Sequence, residues 1–255
     1  MTAKLFKVLT VVIIVTALAL VIIGGGCGSQ AEQLDLFVAA GLKKPMDEVI
    51  AIFQEETGIE VIPNYGPSGG LYTQIEEDQP CDLYFSADWV YIEKLEDVEM
   101  VAESKKFLLD HEVLVVSESG RDKVSCVEDL LKPDVVVGIC EPTAPGGFYA
   151  ESALKNMGLW DELVASGNLK ARPSTVNQLA LMIEENELDA GLNYSSVTKL
   201  NGQEYIEEIP LEYTGDIIFG AAILKGGDEE LAQKFLETAF EHNDEFTIYG
   251  WQPCE

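Results

Sequence analysis

Short apolar runs rich in β-forming residues alternate with amphipathic helical runs over the first hundred residues of the chain. The runs LDLFVAA (34–40), IEVIPNYG and DLYFSA (82–87) have the composition of strands, and a helical stretch follows each of them. Strands that are separated by helices form parallel sheets, because a helix is the usual crossover between two parallel strands. The alternation therefore predicts an α/β fold that begins with a parallel sheet.

A second α/β set follows between two long apolar strands, which we predict near residues 111–117 and 216–224. Within it, DVVVGIC, NLKAR and LDAGLNY are predicted strands, and VSCVEDLL, GGFYAESALKNMG and STVNQLALMIEEN are predicted helices. The two long strands would carry the chain out of the first set and back again. The pattern predicts two lobes, each with a parallel sheet, joined by crossover strands: residues 32–110 with 216–255, and residues 111–215.

The first 26 residues are typical of an export signal. A short basic stretch, MTAKLFK, precedes 16 apolar residues, whereas a membrane-spanning helix needs about 20. Small residues then lead to Cys27, and this arrangement resembles a lipoprotein processing site, which implies that Cys27 carries a lipid. An uncleaved helical anchor is the alternative. Both interpretations place the folded part outside the cytoplasmic membrane and anchored to its outer face.

The chain is strongly acidic, with 45 Asp and Glu against 16 Lys and Arg in 255 residues and a formal net charge of −29. The acidic residues are spread along the chain rather than gathered in a tail. Such a surface argues against nucleic acid or an anionic membrane surface as a binding partner.

Four cysteines lie beyond Cys27, and none of them forms a C-x-x-C pair or has the spacing of a zinc site. Outside the cytoplasm a disulfide is permitted. The sequence leaves open both one or more bridges and buried free thiols for Cys81, Cys126, Cys140 and Cys254.

Five junctions at strand ends share one chemistry. They are Ala39–Gly41, GPSGG (66–70), APGG (144–147), STV (174–176) and NYSS (193–196), and all are small, hydroxyl-bearing or glycine-rich, without Lys or Arg. Ligands of open α/β sheets bind at the carboxyl ends of strands. The unpaired N–H groups and positive field of helix N-termini can bind an anion there without a basic side chain. Ordinary turn and cap chemistry is the alternative for each junction taken alone.

From about residue 33 to its end, the chain resembles the molybdate-binding proteins of ABC transporters. The stretches LFVAAGLKKPMDEVIAIFQEETGIEV, YGPSGGLYTQIEEDQPCDLYFSAD, APGGFYAESALKNMGLWDEL and GLNYSSV carry the resemblance. It implies a two-lobed periplasmic-binding-protein fold of type II that binds a tetrahedral oxyanion, molybdate or tungstate, between its lobes. It also implies a monomer that has no cofactor and docks on an ABC permease.

The resemblance assigns ligand-binding roles to five positions through hydroxyls and backbone amides. Two of them depart from the family, which usually has Ser where this chain has Gly41 and Ala where it has Gly146. Asn193, before the site tyrosine, and the absence of Asp from the third loop make carboxylate coordination of the metal unexpected. The implied ligand-binding residues are Gly41, Ser68, Gly146, Val176 and Tyr194.

Three other functions compete with this interpretation. The same fold can bind sulfate, phosphate or a small organic anion, although the lack of Arg at the junctions disfavours carboxylate ligands. A serine hydrolase using Ser68 would need a base, and the two histidines, His111 and His242, lie in no catalytic motif. Redox or metal chemistry is disfavoured by the cysteine spacing. We therefore expect a binding protein with no catalytic residues and no metal site.

Overall fold

The computed structural model describes residues 33–254, so the predicted signal segment and Cys27 lie outside the described residues. This part of the chain contains strands that form two sheets. In chain order the strands are β1 (Gln33–Ala39), β2 (Glu60–Gly66), β3 (Leu83–Ser86), β4 (Val101–Asp110), β5 (Glu112–Val116), β6 (Val137–Gly138), β7 (Leu169–Ala171), β8 (Ala190–Tyr194), β9 (Tyr205–Glu208), β10 (Ile217–Leu224) and β11 (Gln252–Pro253).

Helices connect most of these strands. They are α1 (Lys43–Thr57), α2 (Ser68–Glu76), α3 (Trp89–Asp97), α4 (Pro145–Asn156), α5 (Trp160–Ser166), α6 (Val176–Glu184), α7 (Ser195–Leu200), α8 (Leu211–Thr214), α9 (Glu229–Glu241) and α10 (Asp244–Thr247). Two short 3-10 helices, Ala40–Leu42 and Val127–Leu131, complete the set. The second of these replaces the α-helix that VSCVEDLL predicts.

The first sheet has the strand order β11-β4-β10-β3-β1-β2. β1 pairs in parallel with β2 and β3, whereas β10 runs antiparallel to β3 and β4. Pro63 lies in β2, and an edge strand tolerates proline because one of its sides needs no N–H donor. The predicted parallel sheet is confirmed for β1 to β3, but the sheet as a whole is mixed because β10 runs antiparallel to both of its neighbours.

The second sheet has the order β7-β6-β8-β5-β9 and is also mixed. β6 is parallel to β7 and β8, while β5 is antiparallel to β8 and β9. The chain passes from the first sheet to the second between β4 and β5, where His111 alone separates the two strands. The two-lobed α/β fold is confirmed, and the correction is that neither sheet is wholly parallel.

Periodicity explains the long helices well. In α1 the side chains of Met46, Val49, Ile50 and Phe53 are buried on one face, and the helix ends at Gly58, whose φ of 72° is the left-handed conformation that glycine adopts readily. Phe53 packs edge-on against Phe235 of α9, with ring centroids 5.1 Å apart. The outer helices α1 and α9 thereby cover one face of the first sheet.

The main element that sequence patterns miss is β4. Its sequence, VAESKKFLLD, carries charged residues through its first half, and its burial pattern shows no strict alternation. Its ladder with β10 is also broken at two irregularities. The strand predicted near residues 111–117 is shorter than expected, because β5 covers only Glu112–Val116.

The four described cysteines, Cys81, Cys126, Cys140 and Cys254, are free thiols. Burial raises the pKa of the Cys81 and Cys140 thiols above the usual value, so both remain protonated. Among residues 33–254, no helix combines the length and apolar character that a membrane crossing requires.

Candidate functional site

A small cavity lies where the ends of strands from both sheets meet. Its volume is about 270 Å³, a figure that includes its opening to solvent. The predicted residues at all five junctions reach its wall. The lining residues are Ala39, Ala40, Gly41, Gly66, Pro67, Ser68, Ala87, Ala144, Pro145, Gly146, Thr175, Val176 and Tyr194.

Three helices begin at the cavity. α2 starts at Ser68, α4 at Pro145 and α6 at Val176. Pro145 suits the first helical position, because its fixed φ matches the helix and an N–H there would have no helical partner. Thr175 caps α6 by accepting a hydrogen bond from the Gln178 amide at 3.2 Å. The three N-termini together direct a positive field at the cavity.

Ser68 is held rigidly in the wall. Its side chain is buried, and its Oγ accepts a hydrogen bond from the Ala87 amide at 3.0 Å. Its carbonyl oxygen accepts from the Tyr84 hydroxyl at 2.9 Å. The residue is therefore fixed from the β3 side and is not a mobile loop serine.

Tyr194 presents a hydroxyl that the described residues leave without a hydrogen-bond partner. The side chain is 1% exposed and lines the cavity. Burial raises the pKa of Tyr194 well above its ordinary value, so the phenol keeps its proton and can act as a donor. An unpaired buried hydroxyl costs about 1–3 kcal/mol, which makes this group the clearest mark of a ligand site.

The side chain of Val176 packs beside Gly41 and Gly146, the two positions at which the chain departs from the family pattern. A Cβ at Gly146 would lie 2.7 Å from Val176 Cγ1. A Cβ at Gly41 would lie 3.3 Å from Val176 Cγ2 and 3.2 Å from Val197 Cγ2. The two glycines thus let the valine pack closely against the wall, where a methyl group would force a shift.

Besides the bonds that Asp110 accepts at the crossover, three hydrogen bonds join elements of the first sheet to elements of the second around the cavity. The Gly69 amide donates to the Thr143 carbonyl at 3.1 Å, and Tyr149 donates to Asp88 Oδ1 at 3.1 Å. Asn177 Nδ2 donates to the Ala40 carbonyl at 2.6 Å. A Cβ at Gly69 would lie 2.7 Å from the Thr143 oxygen, so glycine is required for this approach. The structure is therefore closed over the cavity. We refer to these three bonds as the closing bonds.

Buried carboxyl groups, and no basic ones, lie behind the wall. Within residues 33–254, no lysine or arginine lines the cavity. Asp110 is buried and accepts hydrogen bonds from the hydroxyls of Ser195 and Ser196 and from the His111 amide. Burial raises the pKa of Asp110 to about 6. Asp88 caps α3, and burial raises its pKa as well.

The residues that support the cavity wall carry little local signal in the sequence. Asn177 and Tyr149 meet partners that are 137 and 61 positions away, so no local pattern reveals them. Asp110 and Glu112 resemble polar strand ends. The one available signal was the sequence DHE directly before the apolar run VLVV, since acidic residues at the start of a buried strand need an explanation.

Neither histidine reaches the cavity wall that contains Ser68. His111 lies in the crossover between the sheets, and His242 follows the last turn of α9. The described residues also contain no group of three or more His, Cys, Asp or Glu side chains arranged to hold a metal ion. Among residues 33–254, Ser68 thus has no histidine at the cavity to act as its general base.

Comparison with known proteins agrees with this architecture. Residues 34–250 match the family described as bacterial extracellular solute-binding protein. The chain is 30% identical to the molybdate-binding protein ModA of Rhodobacter capsulatus over 230 residues, covering 88% of this chain and 89% of the relative. It is 26% identical to ModA of Escherichia coli (strain K12) over 225 residues, covering 84% and 86%. The structure of the periplasmic molybdate-binding protein of Azotobacter vinelandii superimposes with a TM-score of 0.76 at 20% identity, covering 87% of this chain and 100% of that one.

Proposed function

Because this chain belongs to the family of bacterial extracellular solute-binding proteins, and is of the ModA type within it, we propose that it is the receptor of an ABC importer for molybdate or tungstate. The oxyanion is bound in the cavity between the two sheets. Its oxygens accept hydrogen bonds from the hydroxyls of Ser68 and Tyr194 and from the amides of Gly41, Gly146 and Val176.

The unpartnered Tyr194 hydroxyl is the observation that carries this proposal. It is buried, it lines the cavity, and its raised pKa keeps it protonated, so that it can donate a hydrogen bond to a ligand. A ligand oxygen would satisfy it. The N-termini of three helices at the cavity wall supply further N–H groups and a positive field. Both favour an anion over a neutral or cationic ligand.

The nature of the lining groups also favours a fully deprotonated oxyanion. The polar side chains at the wall are hydroxyls, and no carboxylate lines the cavity among the described residues. Hydrogen phosphate carries a proton that needs an acceptor, whereas molybdate and tungstate carry none at neutral pH. With no carboxylate at the wall, only hydroxyl and main-chain oxygens could accept that proton, which disfavours hydrogen phosphate.

Calorimetric titration with molybdate, tungstate, sulfate and phosphate in turn tests the proposal. We expect saturable 1:1 binding of molybdate or tungstate, with phosphate at least about tenfold weaker. At a free concentration of about 100 times Kd, the ligand should stabilise the fold by about 2.7 kcal/mol and raise the melting temperature. Tighter binding of sulfate or phosphate than of either metal oxyanion would assign the site to that anion instead.

Turnover assays separate this receptor from a hydrolase. The receptor should release no product from ester substrates. Hydrolysis that is abolished by Ser68→Ala would contradict a purely binding role and would make Ser68 a nucleophile.

The location and partners follow from the same proposal. The protein is a monomer on the outer face of the cytoplasmic membrane, anchored through a lipid on Cys27, and it delivers the anion to an ABC permease. Mass spectrometry of the membrane-extracted protein should show a lipid on an N-terminal Cys27. Retention of residues 1–26 would instead favour an uncleaved helical anchor. Light scattering of the soluble part should give the mass of one chain.

A further inference from the structure

Glu112, the first residue of β5, is a buried acid without a partner. Its side chain is 0% exposed. Neither of its two carboxyl oxygens makes a hydrogen bond to any of the described residues. An ionised carboxylate in such a place is costly, because burial removes its hydration and nothing replaces it. The group is therefore a neutral carboxylic acid in the closed structure.

The position of Glu112 connects it to the anion site. In the antiparallel pair of β5 and β8, Glu112 lies directly opposite Tyr194. Residues that face each other across an antiparallel pair project their side chains on the same face of the sheet. Glu112 thus lies next to the side chain whose hydroxyl lines the cavity, and it also follows the crossover residue His111.

Titratable groups face Glu112 from each neighbouring element, and they are mainly acids or neutral groups. Asp110 at the end of β4 is the charge that acts on it directly, and this charge adds to the effect of burial in raising the pKa of Glu112 well above its ordinary value. An ionised Glu112 would in turn raise the pKa values of Tyr149, Tyr194 and Cys140, which lie near it. On β9, Glu208 is half exposed and lies 4.0 Å from His111. An ionised Glu112 would thus lie near the negative charge of Asp110, which disfavours its ionisation.

We propose that Glu112 is a proton-binding site coupled to the anion site, so that its carboxylate takes up a proton from solvent when the protein closes around the anion and releases it when the anion leaves. This coupling rests on the proposed function, because a bound dianion beside Tyr194 would add to the burial and the Asp110 charge that already oppose ionisation of Glu112. The protein then captures the anion together with one proton.

The direction of the pH effect follows from linkage. A group whose pKa is higher in the anion-bound form than in the free form contributes affinity that is complete below its free-form pKa. That affinity is lost as the pH rises toward the pKa of the bound form. Between the two values, affinity for the anion should fall by up to about tenfold per pH unit.

Titration of the wild type and of Glu112→Gln with molybdate, from about pH 5 to about pH 9, tests the coupling. Glutamine keeps the shape of the side chain and cannot ionise. The variant should bind within about threefold of the wild type at the acidic end and lose most of the pH dependence. Glu208→Gln, which removes an exposed acid on the adjacent strand, should keep the slope of the wild type. If the affinity of Glu112→Gln for molybdate depends on pH as steeply as that of the wild type, the inference is overturned.

Proton uptake by the unaltered protein gives a measurement that does not depend on a variant. Calorimetry of molybdate binding in buffers with different ionisation enthalpies should show up to about one proton taken up per anion. Binding without proton uptake at every pH would overturn the coupling and leave the proposed function intact. No binding of any oxyanion would contradict the proposed function itself.

Discussion

Asn177 Nδ2 lies 2.6 Å from the carbonyl oxygen of Ala40 and joins the first turn of α6 to the short 3-10 helix after β1. Each partner is adjacent to a residue of the cavity wall, Val176 in one case and Gly41 in the other. The bond therefore holds together two segments that are proposed to contact the same anion from opposite sides.

Replacing Asn177 by alanine should weaken oxyanion binding by about 1–2 kcal/mol, mostly through faster dissociation, because one of the three closing bonds is lost. Stopped-flow and calorimetric measurements would separate the rate from the affinity. Asn201→Ala is the matched control, since Asn201 Nδ2 donates to the Val197 carbonyl inside α7 and not across the cavity. Wild-type dissociation in Asn177→Ala would mean that this bond does not hold the closed form.

Ser68→Ala should weaken binding by about 1–3 kcal/mol, because it removes a hydroxyl from the wall and also leaves the Ala87 amide without its acceptor. The second effect lowers stability as well as affinity. Ser86→Ala serves as the control: Ser86 is buried nearby and bonds to Asp88, but it does not line the cavity. Calorimetry and thermal melts of both variants distinguish a lost ligand contact from general destabilisation. Equal affinity losses in the two would remove Ser68 from the site.

Gly146→Ala should reduce affinity, because its new methyl group would lie 2.7 Å from Val176 Cγ1 and displace the start of α6. Overpacking of this kind costs about 1–3 kcal/mol. Adding Val176→Ala should recover part of the loss by removing the clashing methyl groups. Gly70→Ala is the control, since its Cβ would come no closer than 3.3 Å to Pro67. Additive effects in the double variant would show that residues 146 and 176 do not interact.

Asp110→Asn should change how stability depends on pH. Because the folded-state pKa of Asp110 is about 6, above its ordinary value, its contribution is most favourable at low pH and is lost as pH rises through that value. The free energy of unfolding of the variant minus that of the wild type should therefore increase by roughly 2–3 kcal/mol between about pH 4 and about pH 7. Urea unfolding at each pH measures it. Asp122→Asn, at an exposed position, is the control for removing an acid from the surface. A difference that stays constant with pH in Asp110→Asn would contradict the raised pKa of Asp110.

Local patterns were sufficient to identify residues that line the cavity and insufficient to identify the residues that hold this lining in place. Ser68 and Val176 could be placed from sequence because each begins a helix in the connection that follows a strand, and ligands of such sheets bind at the carboxyl ends of strands. The β4 strand could not, since its charged first half hides the alternation of a strand. Asn177 and Glu112 could not be identified from the sequence, because their contacts are with residues far away along the chain. Local periodicity carries no information about such contacts.

Two of the three closing bonds have a main-chain oxygen as acceptor, at Ala40 and Thr143. Every amino acid supplies that oxygen, so mutations of those two side chains leave the acceptors in place. Tolerance to amino-acid substitution therefore differs among the residues that make the closing bonds. Substitution of Gly69 or Asn177 would remove a closing bond. Substitution of Thr143 or Ala40 would keep the accepting carbonyl and so the closed form.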